Sequence, residues 1–102
     1  MSDTVAIGLV GCGRLAQAGY LPALTAARGV RLSAVADPDP ARRETVAAIA
    51  HNAAAGVVPA FATLGELLEG ARVDAVVLAT PAATHLADAQ LAADAGVATL
   101  VE

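Results

Sequence analysis

Val5-Ala6-Ile7-Gly8-Leu9-Val10-Gly11-Cys12-Gly13-Arg14-Leu15-Ala16 is the stretch around which this 102-residue chain is read. It opens as an apolar run containing β-branched Val5, Ile7 and Val10. It reaches a tight glycine pair and then turns helical. Strand, Gly-x-Gly-x-x-Ala loop and helix follow in that order. This form fits the dinucleotide-binding fingerprint, whose third small residue is Gly or Ala. Gly11 lets the chain turn sharply out of the strand. Gly13, lacking a Cβ, lets a pyrophosphate approach the backbone. Ala16 is small enough to bring helix and strand together. The first N–H groups of the helix then face the phosphates. A glycine pair after a strand also makes ordinary turns, so the context decides.

Outward from that loop the chain alternates. Thr4–Val10 reads as a first strand, apolar on both faces as in a buried parallel sheet. The helix that follows from about Arg14 contains Pro22, which predicts a break near Gly19-Tyr20 and a second helical piece through Ala27, closed by Gly29. Val30–Ala36 reads as a second strand, with Val30, Leu32, Ala34 and Ala36 alternating with Arg31, Ser33 and Val35. Asp39 and Pro40 are a good N-cap and first residue for a helix over 40–53. There Val46, Ile49 and Ala50 share one face, with Arg42, Arg43 and Glu44 outside. Val57–Phe61 reads as a short third strand, at an edge because of Pro59. Thr63-Leu64-Gly65-Glu66 has capping-box spacing for a helix ending at Gly70. Val73–Ala79 reads as the fourth strand. Thr84 is expected to cap a helix ending near Ala95, with Gly96 at its C-cap, and Ala98–Val101 begins a fifth strand.

Five strands alternating with helices, joined by right-handed crossovers, predict an α/β fold. The expected form is a Rossmann-like doubly wound parallel sheet of order 3-2-1-4-5, with helices on both faces. That order places the crevice between the first and fourth strands, so the loops at 11–16 and 80–84 meet at one edge.

Composition narrows the partners. The chain is 57% hydrophobic with 28 alanines, and Tyr20 and Phe61 are its aromatic residues. Its core therefore depends on close helix–sheet approach. No apolar run reaches the ~20 residues of a membrane helix. No basic region precedes the first apolar run, so no secretory signal is expected. The net charge is −4, with no basic cluster larger than Arg42-Arg43. That argues against nucleic acid and anionic membranes as partners. A single cysteine, Cys12, excludes an internal disulfide and fits a cytoplasmic location. Wedged between glycines, it reads as a small packing residue. No metal site is expected, and His51 near a helix end reads as solvent-facing.

Asp37 ends the second strand 21 residues after Ala16. The fingerprint places an acid about 20 residues on, where it accepts hydrogen bonds from the adenosine ribose hydroxyls. The same carboxylate repels a 2′-phosphate, which favours NAD over NADP. Arg42 and Arg43 could receive that phosphate, but a solvated first turn is the simpler reading. His85, in the first turn after Thr80-Pro81, faces the crevice in this topology.

These pieces together resemble the N-terminal domain of the Gfo/Idh/MocA oxidoreductases. The residues concerned are 7–16, Leu21-Pro22-Ala23-Leu24, Val35-Ala36-Asp37-Pro38-Asp39, Val73–Pro81 with Thr84-His85, and Leu100-Val101-Glu102. The resemblance covers nearly the whole chain. It implies a cytoplasmic NAD(P)-dependent dehydrogenase, homo-oligomeric, acting on sugars, cyclitols or related polyols. Hydride would pass between a substrate carbinol carbon and C4 of the nicotinamide. Gly11, Gly13, Arg14 and Leu15 match the family's pyrophosphate loop, and Asp37 its ribose-binding acid. Thr80, Pro81 and His85 match its Thr-Pro-x-x-x-His segment beside the nicotinamide half. Glu102 matches the first residue of its Glu-Lys-Pro motif. The lysine that handles the substrate hydroxyl proton would come next, so no catalytic residue is assigned within 1–102. On this reading residues 1–102 are a dinucleotide-binding domain, incomplete at its C-terminus and without the substrate domain. Alone it is expected to be inactive, taking a sugar or polyol only with that second domain.

Two rival readings stand beside this one. Val10-Gly11-Cys12-Gly13 also looks like the loop of S-adenosylmethionine-dependent methyltransferases. Those usually carry Asp two residues before the first glycine, where this chain has Leu9, and they give Thr80-Pro81 no role. A stand-alone nucleotide-binding or redox-sensing module is the non-enzymatic alternative.

Overall fold

A computed structural model describes residues 4–13, 16–26, 28–54 and 57–101. Its strands are β1 (Val5–Val10), β2 (Val30–Ala36), β3 (Ala60–Phe61), β4 (Ala75–Leu78) and β5 (Ala98–Val101). Its α-helices are α1 (Leu21–Ala26), α2 (Pro40–Ala54), α3 (Leu64–Gly70) and α4 (Ala82–Asp94). The strands form one sheet of order β3-β2-β1-β4-β5, and every neighbouring pair is parallel. This is the doubly wound Rossmann-like arrangement that the alternation predicts.

Both faces of the sheet are covered. On one, Leu24 of α1 and Val46 and Ala50 of α2 pack on Ile7, Leu9, Leu32, Val35 and Val77. On the other, Leu64 and Leu67 of α3 and Ala92 of α4 pack on Val10, Ala34, Ala36, Val76 and Leu78. Each fully buried Leu contributes roughly 1.5–3 kcal/mol relative to exposure. β2 departs from the simple alternation read in its sequence. Its register against β1 jumps from Ile7↔Leu32 to Gly8↔Ala34, leaving Ser33 as the extra residue. The jump puts Leu32 and Val35, three apart, on the same face, as a β-bulge does. The Ser33 hydroxyl donates to the Arg72 carbonyl at 3.1 Å.

The expected break after β1 is a change of winding. Ala16–Tyr20 is a π-helical turn, and α1 starts at Leu21. Pro22 has no N–H to give the carbonyl of Ala18, and its ring crowds that carbonyl, so the turn before it is widened. β3 is shorter than the run Val57–Phe61, because Pro59 cannot donate into the ladder. Its carbonyl still accepts from Val35 N at 3.0 Å. Ile49 is 43% exposed and lies outside the core that Val46 and Ala50 join. Pro40 is the first residue of α2, and Asp39 Oδ1 accepts from Ala41 N at 2.9 Å. Thr63 caps α3 through Glu66 N, as its spacing predicts. Thr84 does not cap α4. The helix starts earlier, with Pro81 at the N-cap, because Ala82 and Ala83 are good helix formers behind a proline of φ −57°.

Candidate cofactor-binding site

The site forms where β1 and β4 end side by side. At the end of β1, Gly11 N donates to the Ala36 carbonyl at 2.8 Å, and Ala79 N donates to the Val10 carbonyl at 2.8 Å. The loop is thus pinned to β2 on one side and to β4 on the other. Gly11 has φ +96°, and a Cβ there would sit 2.7 Å from the Ala79 carbonyl oxygen. Conformation and space both demand glycine. Gly13 differs, because among the described residues a Cβ there would meet no atom within 4 Å. The space beside it belongs to a cavity of about 490 Å³. Its lack of a side chain serves that open space and not the packing of the fold.

The loop is also tied to the acid at the end of β2. Cys12 N donates to Asp37 Oδ2 at 2.7 Å, and Asp39 N donates to Asp37 Oδ1 at 2.8 Å. Asp37 is only 6% exposed, yet it borders the cavity. A carboxylate has about four acceptor positions, and among the described residues two are used here. The others suit hydroxyl donors. Arg43 Nη1 donates to the Asp37 and Pro38 carbonyls at 3.0 and 3.4 Å, which fixes the backbone that carries this acid. That anchoring role replaces the solvated position read for Arg43. Arg42 is exposed at the cavity rim, with Nε 3.6 Å from Asp39 Oδ2.

Cys12 is buried, with its thiol 3.6 Å from the Ala36 carbonyl. Burial, reinforced by the negative charge of Asp37, pushes its pKa up to about 12. The thiol stays protonated at neutral pH, so it is no nucleophile there.

The other wall comes from β4 and α4. Thr80, Pro81, Thr84 and Asp88 border the cavity, facing Ala62, Thr63 and Leu64 at the start of α3. The Thr84 hydroxyl lies 3.0 Å from the Pro81 carbonyl and 3.1 Å from the Thr80 hydroxyl, bracing the turn. His85 Nε2 lies 2.6 Å from the Thr80 carbonyl. A carbonyl only accepts, so Nε2 carries the proton. His85 thus reaches the cavity at one remove, by holding Thr80. Arg14, Leu15 and Glu102, the remaining candidates, lie outside the described residues. Among the described residues no group of three His, Cys, Asp or Glu side chains could hold a metal ion. No described helix is long and apolar enough to cross a membrane.

The sequence reading missed three parts of this site: the Cys12 amide as a donor, Arg43 as an anchor, and Asp88. The spacing from Thr84 to Asp88, one helical turn, was the available signal for the last. The donor set fits a dinucleotide. An open backbone at Gly13 suits a pyrophosphate, a buried acid with spare lone pairs suits a diol, and one cavity is lined by both.

Comparisons with known proteins agree. The chain is 36% identical over 80 residues to the rhizopine catabolism protein MocA of Rhizobium meliloti, covering 78% of this chain and 23% of that protein. Among solved structures it superposes on scyllo-inositol dehydrogenase from Lactobacillus casei with bound NAD(H) and scyllo-inositol. There the TM-score is 0.84 at 25% identity, over 96% of this chain and 27% of that one. It also superposes on a variant of KijD10, a 3-ketoreductase from Actinomadura kijaniata, in complex with TDP-benzene and NADP. That match has a TM-score of 0.82 at 26% identity, over 97% of this chain and 30% of that one. The chain thus spans roughly a quarter of the length of such relatives. Residues 5–102 match the Gfo/Idh/MocA oxidoreductase family over its NAD-binding Rossmann fold, and the chain belongs to that family.

Proposed function

We propose that this chain is the NAD-binding part of a dehydrogenase that moves hydride between a sugar, cyclitol or related polyol and C4 of the nicotinamide. The observation that carries the reading is the continuity of one cavity from the open backbone at Gly13 to the carboxylate of Asp37. In this reading Gly11 and Gly13 shape the pyrophosphate loop, completed by Arg14 and Leu15. Asp37 accepts the adenosine ribose hydroxyls through its remaining acceptor positions. Thr80 and Pro81 line the β4 side, where the nicotinamide half begins, and His85 holds Thr80 in place. Glu102, by its match to the family's Glu-Lys-Pro motif, is assigned to the nicotinamide ribose.

NAD is the preferred cofactor in this proposal. A 2′-phosphate would be brought against Asp37, whose buried carboxylate repels it. Bound NAD supplies the hydride acceptor; the chain's own residues bind and orient it. The inositol dehydrogenase with bound scyllo-inositol supports a cyclitol or sugar as substrate class. A cytoplasmic homo-oligomer containing a separate substrate domain belongs to the same proposal. Two measurements test it. Calorimetry with NAD should give saturable binding at one site per chain. NADH formation by the full-length protein across a panel of inositols and sugars should find a substrate. No NAD binding by a folded chain would overturn the reading.

A further inference from the structure

We propose that Asp88 reads the base of the dinucleotide, accepting a hydrogen bond from the 6-amino group of adenine. The inference rests on the dinucleotide reading above and adds a specificity-determining residue to it.

Among the described residues three charged side chains border the cavity: Asp37, Arg42 and Asp88. Asp37 already accepts two backbone N–H groups, and Arg42 is engaged by Asp39. Asp88, half-buried on α4, has no side-chain partner among the described residues. A partly desolvated carboxylate without a donor is costly, so its place beside a ligand cavity calls for a donor from the ligand.

Position says which part of the ligand that is. The pyrophosphate belongs at Gly13, and a second carboxylate beside it would repel it. The ribose belongs at Asp37. From there the cavity continues into the cleft between the start of α3 and the first turns of α4. Pro38, Ala62 and Leu64 give that cleft apolar surface suited to the face of a flat ring. Asp88 supplies a polar group at its α4 side, four residues beyond Thr84 and on the same helix face. A base attached to a ribose held by Asp37 enters this cleft.

The chemistry then selects the base. A carboxylate is acceptor-only. Adenine offers an amino donor at position 6, whereas a 6-oxopurine places an acceptor there. Asp88 therefore favours adenine and rejects hypoxanthine at the same place.

Calorimetry of the purified protein with NAD and with nicotinamide hypoxanthine dinucleotide tests this. Both ligands carry the same pyrophosphate, riboses and nicotinamide. The native chain should bind NAD roughly tenfold more tightly or better, as loss of a hydrogen bond to a charged group implies. Asp88→Ala should weaken NAD and bring the two affinities together. Asp88→Asn keeps a carbonyl acceptor for the amino group and adds an N–H for the 6-oxo group, so it should raise the affinity for the hypoxanthine ligand. Circular dichroism checks that each variant is folded. Equal binding of both ligands by the native chain overturns the role of Asp88 and leaves NAD binding standing. So does a gap that persists in Asp88→Ala with NAD binding undiminished. Absence of NAD binding by the folded native chain removes the dinucleotide reading itself, and this inference with it.

Discussion

The amide of Cys12 donates to Asp37 Oδ2 across 2.7 Å, binding the glycine loop to an acid 25 residues further along the chain. The acid is therefore part of the loop's own structure before any ligand arrives. Its other oxygen accepts from Asp39 N. Asp37→Ala should thus destabilise the fold as well as weaken cofactor binding. Leaving the buried Cys12 amide without an acceptor costs about 1–3 kcal/mol. Urea unfolding should show a lower midpoint with an unchanged slope. A variant as stable as the native chain would show that water replaces the carboxylate without cost.

The two loop glycines should separate fold from function. Gly11→Ala forces a Cβ to within 2.7 Å of the Ala79 carbonyl oxygen, at φ +96°. We expect it to destabilise by roughly 1–3 kcal/mol or more, since strained backbone and overlap act together. Gly13→Val places its side chain in open space. It should keep native circular dichroism and lose NAD binding, because the branched side chain occupies the approach to the backbone. Normal NAD binding by folded Gly13→Val would reduce the loop to a turn.

The strand order and the crevice were legible because alternation is strong in this chain. Strands such as Val5–Val10 are apolar throughout, and glycine or proline punctuates nearly every junction. The placing of Asp37 beside the glycine loop was legible too, because their spacing is set by one strand–helix–strand unit. The bulge at Ser33 was not, because it arises from pairing with β1 and leaves no mark in local composition. Nor was the anchoring by Arg43, since a cation in a first helical turn looks solvated unless the preceding loop is known to fold back over it. The N-cap of α4, Pro81, lies three residues earlier than the expected cap at Thr84. A threonine in a first turn imitates a cap, and proline at the cap position carries no polar side chain to announce it.

Cys12 predicts a pH dependence of stability. Its folded pKa, pushed up to about 12, lies above its ordinary value of 9.0. Between those values the native state keeps the proton while the unfolded chain releases it. Stability must therefore fall as pH rises through this window, and the contribution is fully present below it. The same burial shields the thiol from reagents. We expect modification of the native chain near pH 8 to proceed only as fast as the chain opens, and Cys12→Ala to flatten the alkaline loss of stability. Rapid stoichiometric labelling under native conditions would contradict the buried, protonated thiol.

Cofactor choice follows from the charges around Asp37. In the proposed site NAD would present two ribose hydroxyls to Asp37, which among the described residues accepts only from Cys12 N and Asp39 N. NADP presents a phosphate there instead, against a carboxylate that is almost fully buried at 6% exposure. Arg42 is the one cation at the cavity rim among the described residues, and Asp39 already holds it at 3.6 Å. That exposed pair is weak, however, so the arginine is available at small cost. The balance therefore rests on Asp37, whose hydrogen bonds and repulsion each contribute on the order of 1–3 kcal/mol. NAD should bind at least roughly tenfold more tightly than NADP. Asp37→Ala should narrow that gap from both sides, losing NAD affinity and gaining NADP affinity. Arg42→Ala should leave NAD binding nearly unchanged and lower whatever NADP binding the Asp37→Ala chain acquires. Calorimetry of the native chain, the two single variants and the double variant with both cofactors decides this. Equal or tighter binding of NADP by the native chain would take Asp37 out of the ribose site, leaving it only its role in holding the loop.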